Sequence, residues 1–178
     1  MEKCRLVFSG AGGQGVITAA IVLAEAAVLH ENLNAIQTQS YGPEARGGAT
    51  RSDVVISEAE IRYPKVLQPN VLVCLTQEAY AKFSSVIRPG GLLLTDSRFI
   101  NMQTKIDARQ VQLPMYQTVM EKIGKPIVFN ICMLGALIGL TDLVKFESIV
   151  KVLEGRIPSG FLDMNRQALD LGRELAAG

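Results

Sequence analysis

Apolar residues along this chain follow two rhythms. Short apolar runs bounded by glycine, proline or polar clusters predict buried strands: about Arg5 to Ser9 around Leu6-Val7-Phe8, then Asp53-Val54-Val55-Ile56-Ser57, Val71 to Leu75, and Leu92-Leu93-Leu94-Thr95-Asp96. Asn34 to Gln39 reads as a further strand. Ile61 to Pro64 reads as a short edge piece before Pro69, and Val111-Gln112-Leu113-Pro114 as a weak edge strand. Between these runs apolar positions recur at helical spacing. Val16, Ala20, Ala24 and Val28, with Ile17 and Ile21 beside them, predict a helix from about Val16 to Leu29 whose alanines allow close packing on a sheet. Glu78 to Val86, Tyr116 to Ile123 and Glu147 to Glu154 predict three more.

Asn130 to Leu140 predicts a helix that is apolar on nearly every side. Its Gly135 and Gly139, four apart, let another backbone approach, either within this core or from a partner subunit. The last helix carries Phe161, Ala168, Leu175 and Leu162, Leu169, Ala176 at seven-residue spacing, one apolar stripe with a polar back. Strands alternating with helices through Asp96 indicate an α/β fold built on a largely parallel sheet. With 178 residues and no linker, repeat or low-complexity tract, one domain is expected.

Composition narrows the function classes. Lys plus Arg number 18 against 17 Asp plus Glu, so no basic excess supports binding to a nucleic-acid backbone. The high apolar content, 48%, with no Trp, suits a chain that buries a subunit interface as well as a core. Cys4, Cys74 and Cys132 are scattered in apolar settings with no C-x-x-C, which argues against a zinc or iron–sulfur site built by this chain and predicts buried, reduced thiols in a cytoplasm. Met1-Glu2-Lys3-Cys4-Arg5 runs straight into a predicted strand, so no signal peptide is expected. Ile127 to Leu140, the longest apolar stretch, is interrupted by Asn130 and falls short of the roughly 20 residues that span a bilayer, so no membrane association is expected.

Two glycine-rich stretches carry the candidate chemistry. Ser9-Gly10-Ala11-Gly12-Gly13-Gln14-Gly15-Val16 joins the first strand to the first helix. A strand–glycine turn–helix unit aims backbone N–H groups and the positive end of the helix dipole at one point, a place for an anion. Gly10, Gly12 and Gly15 satisfy G-x-G-x-x-G. A dinucleotide site, however, needs an acid about 20 positions on to hold a ribose hydroxyl, and the second strand ends in Gln37-Thr38-Gln39. A ligand-free packing turn, an NAD(P) site and a site for another phosphate-bearing ligand all stay open, with the missing acid counting against NAD(P). The second stretch, Ser40-Tyr41-Gly42-Pro43-Glu44-Ala45-Arg46-Gly47-Gly48-Ala49-Thr50, is a long loop in which Arg46 offers a planar fork for phosphate or carboxylate. A plain turn with a solvated arginine is the alternative.

No catalytic set emerges. His30, the one histidine, sits at an exposed-looking helix end, and Asp96 at a strand end reads as a turn cap. No G-x-S-x-G elbow, His–Glu metal motif or P-loop lysine is present.

Taken together, Gly10-Ala-Gly-Gly-Gln-Gly-Val16, the alanine-rich helix and Gln39-Ser-Tyr-Gly-Pro-Glu-Ala-Arg-Gly-Gly-Ala49 resemble the gamma subunit of the 2-oxoacid:ferredoxin oxidoreductases. Val55-Ile56-Ser57, Ile61 before Pro64, Leu75-Thr-Gln-Glu-Ala-Tyr80, Pro89-Gly-Gly91 and the Asn130 to Leu140 helix extend the resemblance over nearly the whole chain. It implies a mostly parallel, Rossmann-like sheet flanked by helices. It also implies a place in an enzyme that decarboxylates a 2-oxoacid on thiamine diphosphate, passes electrons through iron–sulfur clusters to ferredoxin, and yields an acyl-CoA. The wording of the second loop is most similar to the 2-oxoglutarate branch; pyruvate, branched-chain 2-oxoacid and indolepyruvate enzymes carry similar chains. The resemblance places coenzyme A on this chain. It assigns thiamine diphosphate, Mg and the clusters to partners: alpha and beta subunits and, where present, a ferredoxin-like delta subunit. On that reading Gly12, Gly13, Gln14, Gly15 and Val16 contact phosphate through N–H groups, Arg46 adds charge, Gly47 and Gly48 admit the ligand chain, and Tyr41 packs on the ligand or on a partner. Catalysis by this chain is then indirect, a holding of the thiol arm near the thiamine. A subunit that only assembles the complex is the alternative.

Overall fold

A computed structural model describes residues 2–40, 48–102 and 106–178. Six strands form one sheet in the order β2-β3-β1-β4-β5-β6, from β1 (Cys4–Gly10), β2 (Asn34–Ser40), β3 (Thr50–Ser57), β4 (Val71–Cys74), β5 (Gly91–Asp96) and β6 (Ala108–Leu113). β1, β4, β5 and β6 pair in parallel, β3 is antiparallel to β1, and β2 is antiparallel to β3. Five of the six strands therefore point the same way, and the mostly parallel expectation holds. The exception has a simple cause. A parallel return needs a crossover of about a dozen residues or more, whereas only residues 41–49 separate β2 from β3. β3 must therefore double back, and it fills the gap that the α1 crossover leaves between β1 and β2.

Side chains alternate across the sheet as a strand period requires. Leu6, Phe8, Val54, Ile56, Val73 and Leu94 face a core shared with α1 (Val16–His30), α3 (Met115–Lys122), α4 (Phe129–Thr141), α5 (Phe146–Arg156) and α6 (Ser159–Ala177). Val7, Val55, Leu72 and Leu93 face a smaller core with Ala79, Tyr80 and Phe83 of α2 (Gln77–Phe83) and with Val66, Ile87 and Ile100. Most strands are thus buried on both faces, which is why they read as unbroken apolar runs.

Phe129 to Ile138 of α4 are all buried. The backbone that approaches its glycines belongs to α6 of the same chain: a Cβ on Gly135 would lie 2.1 Å from the Leu169 carbonyl oxygen, and one on Gly172 1.9 Å from that of Cys132. α1 and α5 are tied by Glu31, whose carboxylate accepts from the Lys145 N–H (2.8 Å) and the Ser148 hydroxyl (2.5 Å). Lys145 is the N-cap of α5 and has no side-chain cap of its own, so Glu31 supplies one from another helix.

Two expectations change. Ile61 to Pro64 forms no strand; Ile61 packs on the smaller core without joining the ladder, and Pro64 has no N–H to donate. Cys4 is only half-buried, whereas Cys74 and Cys132 are buried, and all three are free thiols. No helix among the described residues is long and apolar enough to cross a membrane.

Candidate anion-binding turn at the sheet edge

The residues between β1 and α1 build an open concavity from backbone. Gln14 shapes it. Its side-chain oxygen accepts from the Ala11 N–H (2.7 Å), its amide nitrogen donates to the Leu75 carbonyl (3.2 Å), and its own N–H donates to the Ala11 carbonyl (3.2 Å). Gln14 is therefore committed to the turn, and its backbone N–H, which the sequence reading aims at phosphate, is bonded to Ala11 instead. Gly13 (φ 87°) and Gly15 (φ 75°) take left-handed conformations that side-chain-bearing residues rarely adopt.

What remains is a set of open donors. Among the described residues, the N–H groups of Gly12, Gly13, Gly15 and Val16 have no hydrogen-bond partner. Gly15 is the N-cap of α1 and brings no capping side chain, and the first turn of α1 holds no acid. A helix start left bare in this way concentrates unsatisfied donors and the positive end of a 15-residue dipole at one exposed spot. Among the described residues no side chain is bonded to those donors. Gly12 is exposed, and a Cβ there would meet nothing within 4 Å.

Asn130 supports the turn from behind. It is buried, its amide nitrogen donates to the Gly15 carbonyl (3.2 Å), and a Cβ on Gly15 would lie 2.5 Å from that nitrogen. In the sequence Asn130 registers only as a polar interruption of an apolar stretch. Beside the turn, a cavity of about 510 Å³ opens between α1, the start of α4 and the α5–α6 corner, with Gly13 and Gly15 at one end and Val128, Ile131, Leu153 and Met164 along its apolar wall.

The second loop joins the sheet next to the first. Gly10 pairs with Thr50, Ser9 with Arg51, and Arg51 with Ser40. The roots of both glycine stretches therefore stand on adjacent strands at the same edge of the sheet, about 5 Å apart per strand. Gly48 is half-buried at the returning root. Tyr41, Arg46 and Gly47 lie outside the described residues.

The remaining titratable candidates are accounted for structurally. Asp96 is fully buried and accepts from the N–H groups of Arg98 and Tyr116 (2.8 Å each), so it caps the turn after β5 and the start of α3. Burial pushes its carboxyl above the usual value, against the pull of those N–H groups and of Arg98. His30 is exposed in the last turn of α1. Among the described residues no three His, Cys, Asp or Glu side chains gather as a metal site.

Comparison with known proteins adds identity to this geometry. Residues 5–175 match the family described as pyruvate ferredoxin/flavodoxin oxidoreductase. The chain is 45% identical over 170 residues to the 2-oxoglutarate synthase subunit KorC of Methanocaldococcus jannaschii, covering 94% of this chain and 91% of that one. Its fold matches the keto/oxoacid ferredoxin oxidoreductase gamma subunit of Geobacter sulfurreducens at a TM-score of 0.89 and 40% identity, over 98% of both chains. It also matches 31% of a chain of the 2-oxoglutarate:ferredoxin oxidoreductase of Magnetococcus marinus, solved with 2-oxoglutarate, coenzyme A and succinyl-CoA bound, at a TM-score of 0.88 and 22% identity over 99% of this chain, a likeness of fold.

Proposed function

Because this chain belongs to the pyruvate ferredoxin/flavodoxin oxidoreductase family, as the gamma subunit of a multi-chain 2-oxoacid:ferredoxin oxidoreductase most similar to 2-oxoglutarate synthase, we propose that its work in the complex is to hold coenzyme A. The observation that carries this reading is the pairing of Gly10 with Thr50, which roots the bare helix start and the Arg46 loop side by side. Coenzyme A presents a pyrophosphate and a 3′-phosphate, and neither needs the ribose-binding acid that β2 lacks. The free N–H groups of Gly12, Gly13, Gly15 and Val16 suit one phosphate group, and Arg46 suits another as a bidentate partner. The apolar cavity beside Gly13 offers room for the uncharged arm of the ligand. Gly47 and Gly48 let that arm pass close to the backbone, with Tyr41 packing beside it or against a partner.

On this reading the chain binds and orients and makes no bond itself. Thiamine diphosphate with Mg, held by alpha and beta subunits, supplies the decarboxylation chemistry, and iron–sulfur clusters on those chains or on a delta subunit lead to ferredoxin. The gamma chain raises the local concentration of the thiol at that site. The 2-oxoglutarate branch is the reading that the KorC identity favours.

The test is calorimetric titration of coenzyme A into the assembled complex. Gly12→Asp brings a carboxylate to the open donors at a position where a Cβ meets nothing within 4 Å, and Arg46→Ala removes the fork. Each is expected to weaken coenzyme A about tenfold or more, and to lower turnover at low but not at saturating coenzyme A. Unchanged affinity in both variants would leave assembly as the only role of this chain.

A further inference from the structure

At the opposite edge of the sheet, where β1, β4, β5 and β6 begin, a cavity of about 540 Å³ lies against the end of α4. Its volume is in the range of small-molecule sites. Arg88, Arg109 and Asn70 line it, and no acidic residue is part of the lining. The chain as a whole is nearly neutral, and the lining itself carries two positive charges, with Asp142, exposed between Thr141 and Leu143, the acid next to it in the chain.

These arginines differ from most others in the molecule. Arg51, Arg62, Arg156, Arg166 and Arg173 are ion-paired, and Arg98 lies over the Tyr116 ring. The guanidinium groups of Arg88 and Arg109 have no ion pair, hydrogen bond or ring contact among the described residues. Their backbones are nevertheless fixed. The Arg88 N–H donates to Pro69 (2.9 Å) and its carbonyl accepts from Gly91 (2.8 Å), while Arg109 pairs with Leu92 in the β5–β6 ladder. Asn70 is held too: its side-chain oxygen accepts from the Arg5 N–H (2.9 Å), and its amide N–H₂ has no partner among the described residues. The lining also includes Leu92, Leu140 and Leu143.

We propose that this cavity binds a small organic anion, its phosphate or carboxylate group held by Arg88 and Arg109 with the Asn70 amide as third donor, and its apolar body lying on Leu92, Leu140 and Leu143. Two planar forks and an amide match the oxygens of such a head group, and the leucines reward a hydrocarbon tail. The site does not depend on the coenzyme A reading, since it uses other residues on the other edge of the sheet.

The test is a titration of the isotope-labelled full chain, followed by NMR, with inorganic phosphate and with hexyl phosphate. The expected result is saturable shifts at the Gly90 and Gly91 amides and the Arg88 and Arg109 side chains, with hexyl phosphate at least tenfold tighter than inorganic phosphate. Arg88→Ala with Arg109→Ala should weaken hexyl phosphate at least tenfold, and Gly12→Asp should leave that binding unchanged. Equal affinity for the two probes in the parent chain, or shifts confined to residues 12–18, would overturn the proposal. So would an Arg109→Ala chain that melts lower yet binds as before, which would make that arginine a counter-charge for the C-terminal end of α4.

Discussion

Gly15 answers to two constraints at once. Its φ of 75° suits glycine, and the Asn130 side chain fills the space where a Cβ would go. Gly12 lies three residues away and answers to neither. Gly15→Ala should therefore cost about 2 kcal/mol in a urea titration of the chain, with Gly12→Ala within about 0.5 kcal/mol of the parent as the control. The sequence shows both as members of one G-x-G-x-x-G, and spacing alone does not distinguish a strained position from an open one. Nor does it show that Gln14 turns inward on Ala11 and Leu75, because a glutamine in a glycine loop reads equally well as a ligand contact. Asn130 is hidden for a different reason. Its partner, the Gly15 carbonyl, is 115 residues away, and no local pattern announces so distant a bond.

Elements that bury one or both faces in this chain were the readable ones. β1, β4 and β5 stand as apolar runs because helices and loops cover both sides of the sheet, and α1 and α4 stand out because nearly every turn of them is packed. The direction of β3 is less visible in its residues, since an antiparallel strand buried on both faces shows the same apolar run as a parallel one. It follows from the length of the connection instead. The cap of α5 is likewise invisible locally, because Glu31 lies at the far end of α1. Glu31→Ala should destabilise the chain by about 1 kcal/mol and loosen α5 first, seen as faster amide exchange at its N-terminus.

The same carboxylate sets a pH dependence. Burial pushes the Glu31 carboxyl up, but the hydrogen bonds from Ser148 and Lys145 and the nearby charges of Lys145 and His30 outweigh it and hold it below its usual value of 4.5. Below that value the unfolded chain takes up the proton before the folded one does. This contribution is therefore complete above about 4.5 and is lost as pH falls through the folded value. Urea midpoints of the parent and Glu31→Ala should accordingly converge on acidification below 4.5, and a constant gap would show that Glu31 acts through packing alone.

For the molecule as a whole, the division of labour between sheet and loop makes a strong expectation. β2 and β3 pair over seven residues, from Asn34 with Ser57 to Ser40 with Arg51. Replacing 41–49 with a short glycine-containing turn should leave the melting midpoint within a few degrees of the parent while removing coenzyme A binding by the assembled complex. Loss of the fold in that variant would mean that the loop is part of the core, and retained binding would move the ligand elsewhere. The subunit's membership in a larger enzyme was legible from the two glycine stretches jointly.

The ladder that joins Gly10 to Thr50 and Ser9 to Arg51 has one more consequence. Both glycine stretches are rooted on neighbouring strands of a single sheet, so the gap between those roots has the width of one strand spacing, fixed by the ladder's hydrogen bonds. On the coenzyme A proposal, selection of the ligand rests on the groups the two stretches present above those roots, since the spacing of the roots is the same whatever is bound.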